Sequence, residues 1–486
     1  MTVNIAAVPP SGRGFWGRLD QVRVATGVAL ILVGIPLAWI ARDVVHGGRS
    51  PVFTATLIVA GIGLILRFAA FRRGELLVNK AELALVLVPL LVITALAFGG
   101  SLPPPDTADG TTGALQDAGR LSIDNRQVIS NLVVIGFALA GYSQPLSAFR
   151  YTQRAVAVVG VIAGGMSLAY TFSSIQRIAD FAHMGRFGGV GDDNSAPGTI
   201  AMVGAFTLVG AWVWFRERHP PSLVGSSFLF LALVTAVPMI VLSRSRTVML
   251  GCVLAVGGAA AFGLIRQRHF PKLRREKKRG FTRKEIAFWS VVGVVGLTVA
   301  TIVAVKLSTM ILIYWDFISR GAETVLGSRR GLGVDNSAAQ RHQYLAHSFD
   351  SFSLFGSGYK AMFVDNPVWG AFCDLGVIGG SVFLLVGVLI PLKICMDLAL
   401  RPWTPPFVRF SIAVFVVFLP SLFLSNTPYV STYWQYLVLF YVVAGRYWSA
   451  TRPVSKFRVV LNATPGVAVP SVQNNGPKQR SSGSPN

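Results

Sequence analysis

Residues 222–265 read SLVGSSFLFLALVTAVPMIVLSRSRTVMLGCVLAVGGAAAFGLI, and residues 266–284 continue RQRHFPKLRREKKRGFTRK. The first stretch holds two apolar runs, 222–242 and 247–265, each close to the roughly twenty residues that cross a bilayer core as a helix. Only the Ser243-Arg244-Ser245-Arg246 turn keeps them from merging. The second stretch carries ten basic residues, among them Arg274, Arg275, Lys277, Lys278 and Arg279, against Glu276 alone. An apolar hairpin followed by a basic loop is the pattern of a helical membrane protein with that loop on the cytoplasmic side.

The rest of the chain repeats this alternation. Of 486 residues, 52% are hydrophobic and 13% charged, against roughly a quarter charged in a soluble domain. That excludes a disordered chain and argues against a soluble globular one. Apolar runs fall at 24–41, 52–66, 81–98, 127–147, 155–175, 198–215, 222–242, 247–265, 286–305, 370–392, 408–425 and 432–448. The expected fold is an all-α polytopic membrane protein of about twelve transmembrane helices. Alternate loops are basic: 67–80 carries Arg67, Arg72, Arg73 and Lys80, 148–154 carries Arg150 and Arg154, and 216–221 carries Arg216 and Arg218. Both termini are therefore expected in the cytoplasm. The leader, the 266–284 loop and the tail from Arg446 onward together hold +17 of the formal +23. Topology and attraction to anionic inner-leaflet lipid account for that charge better than nucleic acid does.

The domain organisation follows. Residues 1–23 form a cytoplasmic leader, and 24–305 hold spans one to nine with the basic loop 266–285. Residues 306–369 form a large, partly helical extracytoplasmic loop, 370–448 hold the last three spans, and 449–486 form a basic tail that reads as disordered. The large loop has six Lys or Arg against five Asp or Glu, and a loop of that length between spans carries function or is disordered. Its aromatic residues and the amphipathic pattern near Gln340–Phe352 predict a folded segment. Cys252, Cys373 and Cys395 have no CxxC spacing and suggest neither disulfide nor zinc. No cleavable signal is evident, and no inverted repeat of the transporter kind is visible. Within the predicted spans the acidic residues are Glu82 and Asp374, both near helix ends, which weakens an ion-coupled transporter reading.

Four constellations lie on the expected outer face. The first runs from His183 through Gly185, Arg186, Gly188 and Gly189 to Asp193 and Asn194. Arginine suits a phosphate because its planar fork donates two parallel hydrogen bonds. The alternative is that Arg186 reaches lipid headgroups while Asp193 or Asn194 caps the next helix. The second is Ser243-Arg244-Ser245-Arg246-Thr247, where two arginines on an outer turn run against the positive-inside tendency. Ser245 or Thr247 could equally be the N-cap of the following helix. The third comprises Arg341, His342, Tyr344 and His347, with Arg341 and Tyr344 on one helical face, followed by Gly356-Ser357-Gly358. The fourth is Asp365-Asn366-Pro367, then Asp374-Leu375-Gly376-Val377-Ile378-Gly379. Asn366 as N-cap with Pro367 at the first helical position is a sufficient structural reason for those two residues. Capping does not require Asp365.

On these residues the chain resembles the O-antigen ligase and O-antigen polymerase (Wzy-type) superfamily of bacterial membrane glycosyltransferases. Arg186 through Asn194 matches the family's outer-face Arg, Gly-rich turn and Asn before a helix. Ser243 to Arg246 matches its S-x-S-R turn, Arg341 and Gly356-Ser357-Gly358 its Arg-led helix and G-x-G segment. Asp365-Asn366 and Asp374 to Gly379 match a pair opening a helix that ends in E-x-G-x-x-G. The matches cover roughly residues 180–392. Asp374 replaces the commoner Glu, a modest change. Ligases of the family typically carry histidine where this chain has Asp365, and that missing histidine tilts the resemblance toward a polymerase or an exopolysaccharide-chain enzyme over a lipopolysaccharide core ligase.

The resemblance implies a multi-pass enzyme of the bacterial cytoplasmic (inner) membrane with its active face extracytoplasmic, serving cell-surface polysaccharide biosynthesis. The donor would be a glycan on polyprenyl pyrophosphate and the acceptor another glycan or a lipid-linked one. The transfer would be metal-independent and inverting, with no cofactor. Arg186, Arg244, Arg246 and Arg341 are the expected pyrophosphate-binding residues. Asp365 is the first candidate for general base, with His342 and His347 behind it, and Asn194, Asn366 and Tyr344 are supporting residues. Membrane lipid is an expected partner, nucleic acid is not, and a chain-length regulator or another polysaccharide-pathway protein fits the same resemblance. The rival readings are a lipid-linked oligosaccharide flippase or other transporter, a peptidoglycan polymerase of the shape and division kind, and a non-enzymatic membrane scaffold.

Overall fold

The computed structural model describes residues 15–45, 51–69, 80–99, 125–173, 196–217, 222–243, 245–269, 290, 353–356, 367–401, 403–424 and 431–451. Among them the chain is helical, with no strand. In order come α1 (Phe15–Val45), α2 (Pro51–Ile65), α3 (Lys80–Gly99) and α4 (Asn125–Tyr142). A 3-10 turn (Leu146–Tyr151) leads into α5 (Thr152–Ser173), then α6 (Ala196–Phe215), α7 (Leu223–Leu242) and α8 (Arg246–His269). The last group is α9 (Pro367–Leu384), a π-helical turn (Leu385–Leu389), α10 (Ile390–Ala399), α11 (Pro406–Phe418) and α12 (Ser421–Leu424). It ends with α13 (Ser431–Phe440), a second π-helical turn (Tyr441–Gly445) and α14 (Arg446–Ala450).

Each predicted apolar run except 286–305 falls on one or more of these helices; that run lies outside the described residues apart from Ser290. Three helical stretches among the described residues are long and apolar enough to cross a membrane: Leu223–Ile240, Pro367–Ala399 and Pro406–Phe423. Val128–Tyr142 with Leu146–Ser167 makes a fourth if that bent pair counts as one span. Large apolar side chains face outward along them, such as Leu223 at 71% and Ile378 at 51% exposure. Water would penalise such faces; lipid would not.

Inside, α1 packs on α2 and α5, and α6 on α5 and α7. Helix α11 touches α6, α8 and α13, and α13 lies along α4. Edge-on aromatic pairs knit this centre: Tyr436 lies 4.9 Å from Phe206 and 5.0 Å from Phe418, and Phe383 lies 5.8 Å from Trp434. Small residues let backbones approach where lipid supplies no drive for helix association. A Cβ on Gly27 would stand 2.6 Å from the Gly61 carbonyl oxygen, and one on Gly61 would stand 2.8 Å from that of Gly27.

The helices depart from the sequence reading in four places. Helix α1 begins at Phe15, so the end of the leader is already helical. The fourth run stops at Tyr142, not at 147, and the supposed loop 148–154 is helical, turned by 108°. Proline causes this: Pro145 has φ −66° and ψ 148°, which ends one helix and starts the 3-10 turn. The run 370–392 is no single helix but is broken at Gly376 and widened at the π turn. Arg446, within the predicted span 432–448 but summed with the tail's charge, opens α14 with its side chain buried.

Candidate functional site

Two of the glycine motifs expected on the outer face meet. Helix α9 breaks at Gly376, whose φ of 73° and ψ of −177° belong to a region open essentially to glycine alone. The amides after the break leave the helical ladder: Val377 N donates to the Ser353 carbonyl at 3.0 Å, and Ile378 N to that of Leu354 at 3.4 Å. Ser353 Oγ in turn accepts from Gly356 N at 2.8 Å, closing a tight turn that ends with Gly356 at φ 81°. The contact is reciprocal. A Cβ on Gly356 would collide with the Asp374 carbonyl and Gly376 N, and one on Gly376 with Gly356 N and the Leu354 carbonyl. Further along α9 a Cβ on Gly380 would meet the Phe372 ring at 2.5 Å, so the bend also needs that glycine.

This arrangement decides what the break can do. The start of a helix is ordinarily a place for an anion, but here loop carbonyls occupy the first free amides of the second half. The junction is therefore a backbone clamp. It anchors residues 353–356 nine and more residues along α9 from Pro367, where that helix begins. Asp374 is buried beside the break, while Leu354 and Phe355 stay exposed at 56% and 78%.

The Ser243–Thr247 turn is resolved differently from an anion loop. Ser243 is buried, its Oγ donates to the Ile240 carbonyl at 2.9 Å, and it accepts from Ser245 N at 3.4 Å. The Ser245 carbonyl accepts from Met249 N at 3.0 Å, so Ser245, not Thr247, holds the N-cap position and Arg246 is the first helical residue. Both serines thus serve the turn itself. Helix α12 touches both α8 and α9, and the Val417 backbone abuts Gly251 near the start of α8. The serine turn and the glycine clamp accordingly lie at one end of the helical layer.

The opposite end, about 30 Å away at 1.5 Å per residue along α9 and α10, is built from side chains on carbonyls. Arg446 donates to the carbonyls of Gln144 at 2.9 Å and Gly141 at 3.4 Å, with its guanidinium 5.6 Å from the Tyr142 ring centroid. Arg23 donates to the Leu66 carbonyl at 3.2 Å, Arg67 N to Ser143 Oγ at 3.2 Å, and Gln144 Nε2 to the Ile65 carbonyl. Gln153 and Arg154 both grip Glu217, and Trp448 donates to Asp397 at 2.8 Å. Each of these bonds joins segments that the basic-loop pattern assigns to a single side. No protein-family model matches the chain, and no curated protein matches it.

Of the residues expected to act chemically, Arg186, Asn194, Arg244, Arg341, His342, Tyr344, His347, Asp365 and Asn366 lie outside the described residues, and Arg246 is described by its backbone alone. Of the glycine segments near them, the structure brings together Gly356 and Gly376. The sequence does not disclose the meeting of Gly356 with Gly376; two glycine-rich motifs on one expected face are its only trace. Among the described residues no group of three His, Cys, Asp or Glu side chains could hold a metal ion.

Proposed function

We propose that this chain is a polytopic membrane glycosyltransferase of the O-antigen polymerase or ligase type, with the polymerase role favoured. It would act on the extracytoplasmic face of a bacterial cytoplasmic membrane. The observation that supports this most is the reciprocal Gly356–Gly376 clamp. It joins two of the motifs on which the family resemblance rests, and it ties Gly356, the residue before the 357–366 segment that carries Asp365, to α9, which begins directly after that segment. In this reading the glycine end faces outward and the Arg446 end faces the cytoplasm.

The donor is a glycan on polyprenyl pyrophosphate. An acceptor sugar hydroxyl attacks the anomeric carbon, a new C–O bond forms with inversion, and the bond to pyrophosphate breaks with its electron pair leaving on the phosphate. Arg186, Arg246 and Arg341, with Arg244 nearby in sequence, stabilise that charge. Pre-oriented donors of this kind are worth about 3 kcal/mol each. Asp365 takes the hydroxyl proton, a contribution of ~10²–10⁴-fold; His342 and His347 are the reserve candidates.

Incubation of purified protein with a polyprenyl-pyrophosphate oligosaccharide, beside Arg341→Ala and Asp365→Asn, tests the reading. Lengthened lipid-linked glycan, reduced at least about 100-fold in both variants, is the expected result. Full activity in Asp365→Asn would remove the base assignment. No transfer from several donors, with labelled donor crossing vesicles instead, would replace the enzyme by a flippase.

A further inference from the structure

The end of the layer that carries Arg154 has a feature that the proposed chemistry does not use. After the 108° bend the 3-10 turn tucks in Ala148 and Phe149 and leaves Arg150 exposed. Arg150 and Arg154 both stand over the Tyr151 ring, at 5.9 and 4.9 Å from its centroid. Arg154 also lies 5.7 Å from the Trp214 ring and is neutralised by Glu217. Next to Glu217 in the chain, Arg216 is exposed and stands 5.4 Å from the ring of Trp212, itself 48% exposed. Among the described residues neither Arg150 nor Arg216 has a carboxylate partner. Two open cations on aromatic seats thus flank one satisfied ion pair.

A purely structural cluster would neutralise its cations, as Glu217 does for Arg154. Rings that sit between hydrocarbon and water, each carrying an unspent guanidinium, fit a lipid phosphate at the edge of the bilayer. We infer that Arg150 and Arg216, seated on Tyr151 and Trp212 at the mouth of α5 and α6, form a docking surface for the headgroup of an anionic phospholipid. The inference rests on the membrane reading and not on glycosyl transfer. The lipid phosphate accepts hydrogen bonds from the two guanidinium groups, while the exposed edge of Trp212 lies against the upper acyl chain.

Native mass spectrometry of the full chain, released from detergent with phosphatidylglycerol or phosphatidylcholine added, tests it. The wild type is expected to retain phosphatidylglycerol over phosphatidylcholine. Arg150→Gln/Arg216→Gln should weaken that retention about 30-fold, at roughly fivefold per surface cation. Lys277→Gln/Lys278→Gln, which keeps the total charge change the same, should leave most of it intact. Equal retention of both lipids by the wild type would overturn the inference, as would equal loss in the two double variants. Displacement of the lipid by millimolar inorganic phosphate would also overturn it, since the surface would then be a phosphate site only. Thermal unfolding of each variant separates lost binding from lost fold, and the glycan transfer assay can fail without touching any of these outcomes.

Discussion

The two ends of the helical layer are held by opposite means. At one end the backbone makes the structure: Gly356 and Gly376 take conformations that side chains refuse, and their peptides bond directly across the break. At the other end long side chains make it, with Arg446, Arg23 and Gln144 reaching carbonyls that the ends of helices leave open. The first kind of joint is compact, rigid and intolerant of any added atom. The second is adjustable, and it keeps charge at a boundary. A site that must hold a loop in register suits the first, and an end that must sit against anionic lipid suits the second.

Substitutions break this contrast in graded steps. Gly376→Val should have the largest effect, about 3 kcal/mol or more of lost stability, read as a fall in thermal unfolding temperature in detergent. Gly356→Val should match it, and the double variant should be little worse than either alone, because the two residues share one contact. Arg446→Ala comes next, at about 3 kcal/mol, since it strands buried carbonyls and removes charge-assisted bonds. Arg446→Lys should recover less than half of that loss in the same measurement, for lack of a fork. Glu217→Gln should cost about 1 kcal/mol, and the difference from wild type should shrink in high salt. Tyr441→Phe removes the bond from its hydroxyl to the Val386 carbonyl, 2.6 Å long, between the two π-helical turns, and should cost about 1 kcal/mol by thermal unfolding. Ser353→Ala should cost the least, within roughly 0.5 kcal/mol, because backbone rather than this hydroxyl carries the clamp. A large loss in Ser353→Ala would show that the clamp is not a backbone device.

What the sequence discloses follows what hydropathy can record. Runs such as 223–242 and 406–424 are legible because every residue along them pays or gains on contact with lipid. The Tyr142–Pro145 break is half legible: proline marks it, yet the apolar pattern continues past it. The Gly376 break is invisible to hydropathy, since its missing helical bonds are replaced by carbonyls more than twenty residues earlier in the chain. Arg446 counts only as one more tail-side charge in the sequence, because counting charge cannot detect the carbonyls of Gly141 and Gln144, some three hundred residues away. The proposed site is legible as four groups of residue types in order. Its assembly rests on tertiary contacts, of which only the one between the glycine motifs lies within the described residues.

Sidedness tests the contrast between the two ends most directly. In a background with Cys252, Cys373 and Cys395 replaced by alanine, Phe355→Cys and Arg150→Cys each place one exposed thiol, the first at the glycine end and the second at the arginine end. Labelling whole cells with a membrane-impermeant maleimide should mark Phe355→Cys at once, and Arg150→Cys only after permeabilisation. Labelling of both in intact cells, or the reverse order, would contradict an outward-facing glycine clamp and a cytoplasmic arginine end.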